Sequence, residues 1–233
     1  MAILDLRHLQ TDPPFIPKKY KMSGGHVVRL DPKKRTGITM HQTACMFGST
    51  KQQDAAAAKV RGSKGEAVSG KHMRALNVAS NITVFTTGVA VVANPLDYYV
   101  YHGNGFNLTD YSIEVEGTYP GIKGDKSTMA GSATMMSLSQ VTLDAIKEAL
   151  SFLYEEGRKA GSPLEWINAH RQSSDSRRSD PGEEIWKEAV LGYAVPHLRL
   201  KVRNDLILPA SNPKNGPGRP IPTAWDPASS NRY

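Results

Sequence analysis

The feature that most constrains this chain is the passage from Ile167-Asn168-Ala169-His170-Arg171-Gln172 into Ser173-Ser174-Asp175-Ser176-Arg177-Arg178-Ser179-Asp180-Pro181-Gly182. The first part reads as the end of a buried strand that delivers His170, the second as a polar loop that turns back to present Asp180. Nine residues separate imidazole and carboxylate, too many for neighbours on one helix and enough for a loop to bring both to one point. Pro181 biases Asp180 towards extended backbone and Gly182 permits a sharp turn after it, so the carboxylate stands on a stiff, non-helical segment. Such residues form either a hydrogen-bonded His and Asp pair, the commoner arrangement, or two ligands of a metal. A catalytic zinc needs three protein ligands and one open position.

The candidate third ligand lies far upstream. In Thr36-Gly37-Ile38-Thr39-Met40-His41 the alternation of Ile38 and Met40 fits a short strand, with His41 at its C-terminal end, where ligands collect in mixed sheets. Tyr111-Ser112-Ile113-Glu114-Val115-Glu116-Gly117 alternates strictly, so Ile113 and Val115 share one face and Ser112, Glu114 and Glu116 the other. Two carboxylates on one strand face are poorly placed to straddle a glycosidic bond, whereas one of them suits the base of a metal site.

The remaining elements frame these three. Residues 1–35 carry Asp12-Pro13-Pro14, Ile16-Pro17 and Ser23-Gly24-Gly25 and read as an extended arm. A helix is expected through Asp54 to Val60, a hairpin from Ile82 to Val92 around Thr87-Gly88, and a strand at Tyr98-Tyr99-Val100-Tyr101. The loop His102-Gly103-Asn104-Gly105-Phe106-Asn107 suits recognition of amides or sugars. Ser139 caps a helix over Gln140 to Glu156 whose Leu143, Ile146, Leu150 and Leu153 are core, and a second helix runs from Glu183 to about Leu191. Beyond Leu208, six prolines among Gly, Asn and Ser mark a tail without a core of its own. The reading is therefore one domain over residues 36–208, with an arm (1–35) and a Pro-rich tail (209–233).

Composition narrows the function classes. With 233 residues, 39% of them hydrophobic, one sizeable core is expected, and the single Cys45 excludes an internal disulfide or a cysteine-rich zinc module. No apolar run reaches membrane-spanning length, and Met1 to His8 lacks the pattern of a secretion signal, so synthesis in the cytoplasm is expected. The net charge of +7 and pI near 9.4 favour a polyanionic partner such as nucleic acid, a membrane surface or an anionic cell wall. The basic residues come in short, scattered clusters with no aromatic-basic platform or reading helix, which ranks nucleic acid last.

Three blocks, Ile38-Thr39-Met40-His41-Gln42-Thr43-Ala44, Ser112-Ile113-Glu114-Val115-Glu116-Gly117, and Asn168-Ala169-His170 with Arg178-Ser179-Asp180-Pro181-Gly182, resemble in order and spacing the signature of the type 2 N-acetylmuramoyl-L-alanine amidases. That family includes phage endolysins, bacterial muropeptide amidases and peptidoglycan recognition proteins, and the resemblance covers roughly residues 36–195. It implies an α/β fold with a central mixed sheet flanked by helices. It also implies Zn2+ held by His41, His170 and Asp180, with Glu114 as acid and base. Where the family usually has a lysine two positions before the aspartate to stabilise the oxyanion, this chain has Arg178, which the resemblance makes a second catalytic residue: it can stabilise the developing charge but cannot donate a proton as lysine can. The position where many members carry an aromatic residue and a histidine reads Ser80-Asn81, and His102-Gly103 resembles the histidine-glycine beside the family's groove. Thr43, Asn81, His102, Asn104 and Asn107 are the substrate-binding candidates.

The implied activity is hydrolysis of the bond between N-acetylmuramic acid and L-alanine in bacterial peptidoglycan. The basic pI and the absent signal point to a phage-type lytic enzyme that reaches the wall through a holin or other delivery device. A binding-only recognition module and a cytosolic muropeptide-recycling amidase are the alternatives.

Overall fold

Three stretches more than fifty residues apart in sequence, 37–42, 110–115 and 166–169, run side by side and in parallel through the middle of the protein. The computed structural model describes residues 3–14, 16–124, 134–211 and 216–233, so Met1, Ala2 and Pro213 lie outside them. Nine strands are described: β1 (Ile3–Asp5), β2 (Met22–Ser23), β3 (His26–Val27), β4 (Gly37–Gln42), β5 (Ile82–Val84), β6 (Ala90–Val92), β7 (Asp110–Val115), β8 (Trp166–Ala169) and β9 (Lys201–Val202). Seven form one sheet in the order β1-β6-β5-β7-β4-β8-β9, and β2 pairs with β3 as a separate ribbon. The sheet is mixed, because the β5–β6 hairpin is antiparallel while the pairs β1–β6, β5–β7, β4–β7, β4–β8 and β8–β9 are parallel.

Side-chain alternation divides this sheet into two faces of different chemistry. Ile38, Met40, Ile82, Val84, Ile113, Val115, Ile167 and Ala169 form one face and belong to the main hydrophobic cluster. Helix α3 (Gln140–Lys159) covers it with Leu143, Ile146, Leu150 and Leu153. Leu150 is fully buried, so its truncation to Ala costs about 2–5 kcal/mol. Ser139 caps α3 by accepting the Thr142 N–H, and Gly161, at φ +89°, takes the left-handed turn after its last residues. The expected capping residue is thus in place, and the helix extends a little beyond Glu156.

The second expected helix begins at Glu183 but extends past Leu191. Its first turn, α4 (Glu183–Ile185), passes into a π-helical stretch (Trp186–Ala194) and a final turn, α5 (Val195–Leu198). The wider winding buries Trp186, Ala189, Val190 and Ala194 together. The opposite face of the sheet carries polar residues at its centre and a smaller cluster of Leu4, Leu6, Ala75, Phe85, Val91 and Ala93 at one side. Two short helices lie on that side, α1 (Lys51–Ala57) and α2 (Gly70–Met73). Thr50 and Gln53 form a reciprocal cap on α1, which explains why this helix starts and ends about three residues before the expected span.

Three further expectations meet a different arrangement. The stretch Tyr98 to Tyr101 is not a strand of the sheet: it makes single bridges, Tyr98 to Arg29 and Val100 to Tyr20, so its backbone partner is the N-terminal segment. That segment follows an extended course, yet β1 within it is an edge strand of the main sheet. Among the described residues after Leu208, Ile221 and Trp225 are fully buried in the main cluster, so this part of the chain is packed on the body rather than extended from it. No described helix is long and apolar enough to cross a membrane.

Candidate metal centre

The polar face of the sheet gathers chemistry at the C-terminal ends of its parallel strands. His41 in β4 stands directly opposite Glu114 in β7, and Glu114 stands opposite Thr83 in β5. Met40 pairs with Ala169, so His170, the residue after β8, falls beside His41. Four neighbouring strands therefore bring His170, His41, Glu114 and Thr83 to one row. Asp180 reaches the same place from the loop: its Oδ1 accepts the Gln42 N–H at 2.8 Å, and its Oδ2 lies 2.9 Å from His170 Nδ1. The turn after it needs glycine, because Gly182 has φ +109° and a Cβ there would meet the Tyr119 Cβ at 2.7 Å. One ligand atom from each of His41, His170 and Asp180 lies within 4.8 Å of the others, and all three residues are buried.

The tautomer of His41 follows from the groups behind it. Its Nε2 lies 3.2 Å from His102 Nδ1, and His102 Nε2 lies 3.2 Å from the Asp110 carbonyl oxygen. A carbonyl only accepts, so His102 Nε2 carries the proton. Burial, then the nearby Arg35 and His170 charges, lower the His102 pKa to about 3 and keep the ring neutral. Its Nδ1 is then an acceptor and His41 Nε2 the donor. Burial first, and then the neighbouring His170, His102 and Arg177, hold the His41 imidazole well below its usual range and so keep it neutral. Its Nδ1 therefore presents a lone pair at 2.8 Å from His170 Nδ1.

A neutral nitrogen lone pair, a second imidazole nitrogen and a carboxylate oxygen thus converge in a buried space. They require a cation, which is either a proton on His170 or a metal ion. Glu114 adds to this demand. Its Oε1 is 4.0 Å from His41 Nδ1, and its buried Oε2 has no hydrogen-bond partner among the described residues. Burial, and next the Asp180 charge, push the Glu114 carboxyl well above the usual range, while Arg177 opposes the shift. The donor set fits a divalent metal with one carboxylate standing beside it.

A cleft of about 230 Å³ opens onto His170 and is walled by Tyr101, His102, Asn104, Asn107, Ser174 and Arg177. The remaining expected residues fall at varied distances from it. Arg178 is exposed and its guanidinium stacks on the Tyr233 ring, 4.2 Å from the centroid, whereas Arg177 lines the cleft and its charge bears on both His41 and Glu114. His102 borders the cleft, but both its ring nitrogens are engaged inside the protein. Asn107 Oδ1 accepts the Gly103 N–H, and Asn104 bridges the Ser173 carbonyl and the Ser211 hydroxyl. Thr43 ties Cys45 to Gly117, and Asn81, buried behind the sheet row, accepts the Ser112 N–H; neither is part of the cleft wall. Glu116, just after β7, is fully buried and paired with Lys71 at 2.9 Å, so this carboxylate anchors the fold.

Two participants escaped the sequence reading. Asp110 shares its face with Ser112 and Glu114, a parity that was available, but its role as the carbonyl that orients His102 is set by the backbone. That Arg177 rather than Arg178, both exposed, lines the cleft carries no sequence signal.

Fold and site together define an α/β protein whose mixed sheet carries a His, His and Asp cluster compatible with a catalytic metal. The chain matches no protein-family model and no curated protein. Among solved structures, the N-acetylmuramoyl-L-alanine amidase LysC from Clostridium intestinale URNW is similar at 12% identity and a TM-score of 0.48, over 86% of this chain and 99% of that one. Bumblebee PGRP-SA is similar at 14% identity and a TM-score of 0.46, over 78% of this chain and 90% of that one. Wild-type Drosophila PGRP-LB shares 14% identity at a TM-score of 0.45, over 77% and 89%.

Proposed function

We propose that this chain is a zinc-dependent N-acetylmuramoyl-L-alanine amidase acting on bacterial peptidoglycan. The observation that carries the reading is the convergence of His41, His170 and Asp180 on one buried point, with the Glu114 carboxylate beside it, its Oε2 without a hydrogen-bond partner among the described residues. The order and spacing of the three sequence blocks that hold these residues support the substrate assignment.

His41, His170 and Asp180 would hold the ion, and two nitrogens with one oxygen suit zinc. Zinc at such a centre supplies Lewis acidity, drawing electron density from a carbonyl oxygen and making water acidic enough to react near neutral pH. Glu114 takes a proton from the attacking water as its oxygen bonds to the lactyl carbonyl carbon. It then returns that proton to the L-alanine nitrogen as the carbon–nitrogen bond breaks. Arg177 places positive charge at the cleft wall, where the carbonyl oxygen becomes negative. The products are a glycan with a free lactyl carboxylate and a peptide with a new amino terminus.

The test uses purified peptidoglycan and counts new L-alanine amino termini and reducing ends in parallel. Native protein should release amino termini without reducing ends, lose activity with chelator, regain it with zinc, and show none as His170→Ala. Glu114→Gln should lower turnover about 10²- to 10⁴-fold while still binding zinc. Wall binding without cleavage would leave a recognition module instead, and reducing ends would mark a glycosidase.

A further inference from the structure

The loop that carries two of the three candidate ligands is bolted shut by one buried arginine. The Arg171 N–H donates to the Asp180 carbonyl at 3.1 Å, and its side chain Nη1 donates to the Arg178 carbonyl at 2.6 Å. Arg171 therefore ties the His170 end of the loop to its Asp180 end. It is fully buried, yet no carboxylate pairs with it, and its Nε and Nη2 have no hydrogen-bond partner among the described residues. Its charge is met by two ring faces instead, Trp225 at 4.8 Å and Tyr233 at 5.2 Å from the guanidinium carbon.

Both rings come from residues 216–233, and the same segment grips the loop along its length. Tyr233 also stacks under Arg178, and the Arg219 N–H donates to the Arg171 carbonyl at 2.7 Å. The Arg219 guanidinium pairs with Asp175. The Gly218 N–H donates to the Leu208 carbonyl, while the Leu208 N–H donates to the Gln172 carbonyl. No Cβ fits at Gly218, which lies directly against the Gln172 carbonyl. Trp225 is itself anchored, with its Nε1–H on the Gly121 carbonyl and its ring 6.0 Å from that of Trp186.

We propose that residues 216–233 are a clamp on the ligand loop, in which Tyr233 and Trp225 act as positioning residues for His170 and Asp180 through Arg171. The clamp rests on the metal reading of this site for its consequence, although its contacts do not. Without the Tyr233 ring the buried cation loses one of its two ring partners, the loop loosens, and the two ligands no longer stay preorganised.

The experiment compares full-length native protein, Tyr233→Ala and Tyr233→Phe in two ways. In competition with a chromophoric chelator, Tyr233→Ala should bind zinc about 10-fold or more weakly, and Tyr233→Phe, which keeps the ring, should stay near the native value. In zinc-free protein, amide hydrogen-exchange protection at residues 171–180 should fall in Tyr233→Ala and be retained in Tyr233→Phe, with α3 unchanged as the control for folding. Unchanged protection at 171–180 in Tyr233→Ala overturns the clamp whatever the zinc result. Native protein that binds no zinc overturns the metal reading instead, and the exchange data still decide the clamp.

Discussion

His102 Nδ1 accepts the His41 Nε2–H across 3.2 Å, and this contact settles which face of the His41 ring is free to bind. The Asp110 carbonyl behind His102 starts the relay, so a backbone atom at the first residue of β7 orients a candidate ligand in β4. Replacing His102 by Phe keeps a ring of similar size but removes both nitrogens. Zinc affinity should then fall about 10- to 100-fold, because His41 can flip or take the other tautomer. Chelator competition on the folded variant checks this, and native affinity in His102→Phe would show that His41 needs no partner.

Arg177 and Arg178 are neighbours with different surroundings, one on the cleft wall and one on the Tyr233 ring. Arg177→Ala should lower turnover on peptidoglycan about 100-fold, the scale of one lost group that stabilises a developing oxyanion. Arg178→Ala should change turnover much less and cost about 0.5–1 kcal/mol of stability from the lost ring contact. Steady-state kinetics and denaturant melts of both variants separate the two roles; the reverse ranking would return Arg178 to the reaction.

Lys19 is only 5% exposed, and burial lowers its pKa from 10.5 to about 7. The unfolded chain holds that proton up to about pH 10.5, whereas the folded protein releases it near pH 7. Between those values the unfolded state binds more protons, so Lys19 makes stability rise with pH, by at most about 1.4 kcal/mol per unit. Below pH 7 the cost of a buried ammonium is present in full. Lys19→Met should therefore be more stable than native protein at pH 6, with the advantage shrinking towards pH 10. The Leu76 carbonyl that Lys19 caps keeps its second donor, Gln10 Nε2 at 3.2 Å. Urea melts across this range test the slope; a constant difference would mean that Lys19 does not titrate there.

Much of this architecture is legible in local pattern. Period-two alternation puts Ile38 and Met40 on one face and His41 on the other, and does the same for Ile113, Val115 and Glu114, because backbone geometry alone sets side-chain direction in a strand. Ser139 and the Leu143, Ile146, Leu150 and Leu153 stripe define α3 for the same reason, since capping and helical period act within a few residues. The triad too is written locally, as a histidine at each of two strand ends and an aspartate held by Pro181 and Gly182.

What local pattern could not decide depends on elements that meet only after folding. Successive residues in a turn point in different directions, so whether Arg177 or Arg178 faces the cleft depends on where the Tyr233 ring sits. Asn81 and His102 look alike as polar loop residues, yet their partners, Ser112 and His41, are 31 and 61 residues away and consume their hydrogen bonds inside the protein. Six prolines after Leu208 forbid regular structure in that segment, but only packing reveals that Trp225 and Tyr233 enclose Arg171. The sequence by itself determined which side chains each strand and helix would present. The tertiary structure alone decided which of them meet, because register and long-range packing are settled between segments whose separation no local rule can see.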